Sequence, residues 1–126
     1  MINSTLVFRL LCYLFLVAVT IQFFLAGLGV LGGESIEAHR QMGFIGLHLI
    51  PLLMFGAAIA ARAGRLTIGM IVVLFLLVGL QSLWLELDDP MWLRSIHVLA
   101  ALVIYVLGHH ITQRANRLTP ASAAVA

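Results

Sequence analysis

The sequence contains no lysine, one cysteine and only 10% charged residues in its 126 positions. The lone Cys12 excludes an intrachain disulfide, so cysteine usage indicates no redox compartment. The small charged fraction, set against 63% hydrophobic residues, lies far from the composition of soluble domains. The net charge of +2 arises from a few arginines and gives no indication of nucleic-acid binding. We therefore expect an integral membrane protein whose main partner is the lipid bilayer.

Four hydrophobic runs, residues 6–28, 39–61, 66–87 and 91–111, can each cross about 30 Å of hydrocarbon as a helix. The first run is longer than the apolar region of a signal peptide and lacks a small-residue cleavage site, so we expect it to be retained. The predicted fold class is all-α, an integral membrane four-helix bundle over residues 1–118. Residues 119–126 are small and uncharged, which predicts a disordered tail.

The arginines and the acids lie on opposite sides of the predicted spans. Five of the seven arginines fall on one side: Arg9, Arg62, Arg65, Arg114 and Arg117. All five acids fall on the other side: Glu34, Glu37, Glu86, Asp88 and Asp89. By the positive-inside rule, both termini are expected to be cytoplasmic.

Glycine, serine and proline predict the helix ends. Ser35 is expected to cap the second helix and Gly64 to close it as its C′ residue, while Asp89-Pro90 starts the fourth. Four glycines are expected to break the first helix and open an outer loop: Gly27, Gly29, Gly32 and Gly33.

The two halves of the chain repeat one order of polar residues. Gln22 precedes His39 by 17 positions, and Gln81 precedes His97 by 16. This spacing predicts two tandem helical hairpins in parallel orientation. His39 and His97 would then face each other in the outer half of the bundle. Facing imidazoles of that kind are suitable axial ligands for a haem iron.

Two arginines accompany these histidines. Arg94 lies three residues before His97 on the same helical face, within reach of the propionates of a haem held there. Arg40 follows His39 directly, and its guanidinium fork suits carboxylates. The alternative for both arginines is an ion pair with acids at the membrane surface.

Other assignments of the histidines stay open. His48 lies nine residues after His39, deeper and on the opposite face, and can either pair with His97 as the second ligand or form an interhelical hydrogen bond. His109 and His110 are expected to have a structural role near a helix C-terminus. Two further functions compete with haem binding. One is a haem-free accessory subunit that packs into a larger membrane complex through glycine-rich helix faces. The other is an outer-face metal site built from Glu34, Glu37, Asp88, Asp89 and His39.

A longer pattern combines these residues: Gln22-Phe-Phe-Leu-Ala-Gly-Leu-Gly29, then His39-Arg40-x-x-Gly43, then His97 early in the fourth span. It resembles an uncharacterised family of small four-helix bacterial membrane proteins. More distantly, it is similar to one four-helix half of the heme A synthase family, which has a Glu-x-x-His-Arg motif on its second helix and a histidine on its fourth. The resemblance implies that His39 and His97 ligate a b-type haem and that Arg40 is the motif arginine. Ile36 stands where that family has its glutamate, so haem binding, for electron transfer or haem handling, is implied more strongly than haem hydroxylation.

Overall fold

The computed structural model describes residues 3–33, 35–84 and 91–118, with the backbone only at 83–84 and 91–95. The described helices are α1 (Ser4–Leu31), α2 (Glu37–Gln41), α3 (Leu47–Ala60), α4 (Arg65–Trp84) and α5 (Met91–Asn116). A π-helical segment, Met42–Gly46, joins α2 to α3, so Glu37–Ala60 is one span. Within the described ranges, four helical spans are long and apolar enough to cross a membrane. The predicted fold class is confirmed, and the chain is a multi-pass membrane protein.

The helices form a closed ring in which α1 packs on α3, α3 on α4, α4 on α5, and α5 on α1. The spans containing α3 and α5 therefore face each other diagonally, as do α1 and α4. At one end of the bundle, the Arg9 guanidinium donates to the carbonyl oxygens of Ala115 and Asn116, and Nε of Arg114 donates to Oγ1 of Thr67 at 2.8 Å. We call this the arginine end, and the opposite end, with His39 and His97, the histidine end.

The apolar core fills the bundle from the arginine end to its middle. The largest fully buried side chains there include Phe8, Phe15, Met54, Leu74 and Ile111. Gly108 permits this packing, because a Cβ at that position would lie 2.9 Å from the ring of Phe15. Towards the histidine end the buried apolar layer stops near Val19, Ile50, Val78 and Ile104. The core therefore leaves the histidine end of the bundle axis unfilled by apolar side chains.

The end of α1 differs from the prediction. The helix runs through Gly27 and Gly29 to Leu31, with Gly32 as its C-cap and Gly33 at a φ of +68°. Breaking a helix inside the hydrocarbon would expose unpaired backbone groups, which costs more than holding glycine in helical geometry. The expectation was therefore wrong for Gly27 and Gly29 and correct for Gly32 and Gly33. The predicted helix start at Asp89-Pro90 and the tail 119–126 lie outside the described residues.

The turn between α3 and α4 also corrects a prediction. Ala61 is the C-cap of α3, and Arg62, at a φ of +53°, takes the left-handed position that was assigned to Gly64. The N–H of Ala63 donates to the carbonyl of Ala58, the bond that closes a Schellman motif. Gly64, at a φ of +83°, instead leads into α4. The chain thus places a residue with a Cβ where glycine is favoured.

Replacing Arg62 with glycine is expected to raise the free energy of unfolding by about 1 kcal/mol, because glycine adopts the left-handed conformation without steric cost. Unfolding in detergent micelles, followed by circular dichroism, measures the change. The control is Arg62→Ala, which removes the same charge but keeps a Cβ. Equal stabilisation by both variants would attribute the gain to charge and contradict the backbone explanation.

The distribution of arginines also predicts the orientation of the bundle. A reporter that is active only in the cytoplasm is expected to function when fused after Val125 and to fail when inserted at Gly33, because most arginines lie at the arginine end. Activity at Gly33 combined with inactivity after Val125 would reverse this orientation.

Candidate functional site

Four polar side chains meet at the histidine end, each from a different span. Gln22 comes from α1, His39 from α2, Gln81 from α4 and His97 from α5. The His39 and His97 rings face each other across the diagonal of the bundle, with their centroids 6.3 Å apart and their planes at 66°. The structure therefore brings together the two histidines that the sequence repeat paired.

His39 is held by a reciprocal pair of hydrogen bonds to α1. Nε2 of Gln22 donates to the carbonyl oxygen of His39 at 3.0 Å, and Nδ1 of His39 lies 3.1 Å from the carbonyl oxygen of Gln22. A carbonyl oxygen only accepts hydrogen bonds, so Nδ1 of His39 carries a proton. In the neutral form of the ring, the lone pair is then on Nε2.

The second half of the chain repeats one of these bonds. Nε2 of Gln81 donates to the carbonyl oxygen of His97 at 2.9 Å, as Gln22 does to His39. Among the described residues, the buried Nδ1 of His97 and the buried Oε1 of Gln22 have no hydrogen-bond partner. Buried polar atoms in proteins are nearly always paired. An unpaired buried amide oxygen such as that of Gln22 is typical of a site that a bound molecule completes.

The π-helical segment Met42–Gly46 begins three residues after His39, a feature that the sequence pattern did not predict. Such wide turns occur often at functional sites, since they change the direction in which neighbouring side chains point. Gly43 lies in this segment against the Gln22 amide, and a Cβ on Gly43 would lie 2.7 Å from Nε2 of Gln22. A side chain at this position would therefore displace the end of the Gln22 side chain from its observed place beside the backbone of His39.

A cavity of about 590 Å³ lies between the four spans at this end. Its lining includes the four polar residues above, while apolar side chains form most of the rest, among them Val19, Phe23, Leu47, Val78 and Ile104. A mainly apolar cavity with a few convergent polar groups is typical of cofactor sites, and this volume is within their usual range of about 300–1,000 Å³. The site can therefore accept a large, mostly apolar molecule.

His48 lies apart from the paired histidines. Its Nδ1 is 3.2 Å from the carbonyl oxygen of Gly43, and its ring packs against Phe44 and Phe75. The described cavity lining does not include His48, and the observed contacts of this ring are with α4 rather than with His97. The hydrogen bond of His48 lies within its own span, whereas the structural alternative predicted an interhelical one.

The histidines near the arginine end are exposed. The rings of His109 and His110 lie 6.4 Å apart, and Nε2 of His109 is 3.0 Å from Nε2 of Gln113. They lie on the same helix as His97 but more than three turns along it, so the structure does not bring them to the candidate site.

The charged residues predicted for the site are only partly described. Arg40 is exposed and lines the cavity. The backbone of Arg94 lies in α5, but its side chain is outside the described part of the chain. Of the proposed metal cluster, only Glu37 and His39 are described, and Oε1 of Glu37 accepts a hydrogen bond from Gln41. Within the described residues, no group of three or more potential ligands could hold a metal ion.

Comparison with known families gives a match to part of the chain. Residues 22–86, just over half of the chain, match the family described as "Family of unknown function (DUF6220)". The chain belongs to that family. The DUF6220 segment begins at Gln22, includes His39, His48 and Gln81, and ends before His97. No curated protein and no solved structure matches the chain.

Proposed function

We propose that this protein binds one b-type haem between His39 and His97 in a bacterial inner membrane and serves in electron transfer or haem handling. The observation that carries the proposal is the pair of imidazoles facing each other across the bundle, 6.3 Å apart between centroids, beside a mainly apolar cavity. Cofactor sites in helical bundles are commonly built from facing helices in this way.

The spacing of the imidazoles supports one shared metal ion. Imidazole nitrogen binds transition metals at about 2.0 Å, so two imidazoles on opposite sides of one ion have centroids roughly 6 Å apart. The observed distance of 6.3 Å agrees with this value. His39 also presents a free Nε2, because Nδ1–H is bonded to a carbonyl, the usual arrangement for a ligating histidine. The haem would supply the redox-active iron.

The surroundings of the cavity support a non-covalently bound haem. Cys12 is the only cysteine, so the chain lacks the Cys-x-x-Cys-His attachment motif of c-type haems. The guanidinium of Arg40 is suited to a carboxylate of the propionate type at the cavity, and Arg94 remains a predicted second partner. The distant resemblance to the heme A synthase family favours the same pair, His39 and His97. Ile36, in place of that family's glutamate, favours binding over hydroxylation.

Absorption spectroscopy of the protein purified in detergent tests this proposal. We expect a Soret band and a stoichiometry of one haem per chain in protein produced with an adequate haem supply. Protein that folds as a helical bundle but shows no Soret band, even after reconstitution with haem, would contradict the proposal.

The accessory-subunit alternative is supported by a different observation. Gly56 and Gly69 are exposed, and a Cβ at either would meet nothing within 4 Å in the described chain. Glycines on an outward face are suited to close packing with a helix of another membrane protein. Under this alternative the protein would copurify with a larger complex and contain no haem.

A further inference from the structure

The two facing histidines are not held equally. His39 makes two hydrogen bonds to Gln22, one through its ring and one through its carbonyl, whereas His97 receives only the carbonyl bond from Gln81. Among the described residues, no group forms a hydrogen bond with Nδ1 of His97. Hydrogen bonds to the outer nitrogen of a ligating histidine fix its orientation and strengthen it as a ligand. Within the described residues, His39 is therefore held by more hydrogen bonds than His97.

The two histidines also differ in the residue that lies one turn further along each helix. One turn after His39 lies Gly43, and the Gln22 amide fills the place where a side chain would project. One turn after His97 lies Ala101, which lines the open cavity. Both rings and both of these small residues line the cavity, but the Gln22 amide occupies the place beside Gly43. Movement of His39 would therefore disturb its bonds to Gln22.

We propose that His97 is the exchangeable haem ligand and that small neutral diatomic molecules bind the ferrous iron in its place, while His39 stays bound. This inference rests on the proposed haem site. In the exchange, the bond between iron and the His97 nitrogen breaks, the His97 ring keeps its lone pair, and a bond between iron and the incoming molecule forms. No electron or proton is transferred, so the step balances without a further reactant.

Apolar surroundings suit such molecules. The cavity side of α5 near His97 presents Val98, Ala101 and Ile104, which contribute no hydrogen-bonding side chains. The access and polarity of the pocket beside the open coordination position decide which ligands a haem binds. We therefore infer that this side of the cavity accepts carbon monoxide-like ligands.

Titration of the dithionite-reduced, purified protein with carbon monoxide tests the exchange. We expect the parent to change from a six-coordinate to a carbon monoxide-bound spectrum, and His97→Ala to reach the same final spectrum with roughly tenfold or greater apparent affinity. The apparent affinity for carbon monoxide is expected to rise because, in the variant, no His97 side chain competes for the coordination position on the iron. His48→Ala is the matched control and should titrate like the parent. His39→Ala should lose its haem or give a different final spectrum.

The outcomes separate this inference from the proposed function. A parent spectrum that is six-coordinate and unchanged by carbon monoxide would overturn the exchange but leave the haem site standing. A parent without haem would overturn both. Loss of haem in His97→Ala, together with parent-like carbon monoxide binding in His39→Ala, would make His39 the exchangeable ligand and contradict the inference.

Discussion

Replacing either His39 or His97 with alanine is expected to abolish the six-coordinate, low-spin haem spectrum of the purified protein. The two rings are the facing pair at the histidine end, so removing one leaves an iron between them with a single protein ligand. We expect His39→Ala to lower haem affinity by about 100-fold or more, because even residues that only support a ligand contribute about 10–100-fold. Absorption spectra and haem titration of each variant measure both effects.

Three histidines in the same chain provide controls. His109→Ala and His110→Ala should keep the parent spectrum, because both side chains are exposed and lie far along α5 from His97. His48→Ala should also keep it, since this ring packs against Phe44 and Phe75. A spectrum that is destroyed by His48→Ala and spared by His39→Ala would move the ligand pair deeper into the bundle and refute the assignment.

The sequence predicted the architecture well because the membrane restricts the possible folds. Long apolar runs must form helices in hydrocarbon, since every backbone polar group needs a partner there. The similar separations of the two Gln-His pairs also indicated a repeat. In the structure, Gln22 is hydrogen-bonded to His39, and Gln81 is hydrogen-bonded to His97. Placing polar residues inside apolar spans costs free energy, so the positions of these residues indicate where the site lies.

The features that were missed depend on small energy differences between backbone conformations. The π-helical segment Met42–Gly46 follows no hydrophobic period, and its glycines have no distinctive order in the sequence. The left-handed conformation at Arg62 was missed because Gly64, two residues later, is the better intrinsic candidate. In both places, packing between the helices selects one backbone conformation among alternatives with nearly equal local propensity.

The contact between Gly43 and Gln22 is expected to control the geometry of the site. In Gly43→Ala the new methyl group would lie 2.7 Å from Nε2 of Gln22, so the amide must shift, and we expect it to lose its bond to the carbonyl of His39. Losing that bond and displacing a buried amide is expected to cost about 1–3 kcal/mol of unfolding free energy. Gly46→Ala is the matched control within the same π-helical segment, because its methyl group would meet Met42 at an ordinary 3.6 Å.

A double-mutant cycle between these two positions separates this contact from a general effect of alanine on the helix. Gln22→Ala removes the amide, so adding Gly43→Ala to it should cost little, because the new methyl group enters space that the amide has left. We expect a coupling free energy of about 1–3 kcal/mol between the two substitutions, as for residues in direct contact. Micellar unfolding of the four proteins without haem measures the coupling, so the result does not depend on the proposed ligand. Additive effects would mean that the Gln22 amide adjusts freely, and the reciprocal bonds to His39 would then no longer explain why this histidine is the better oriented of the two.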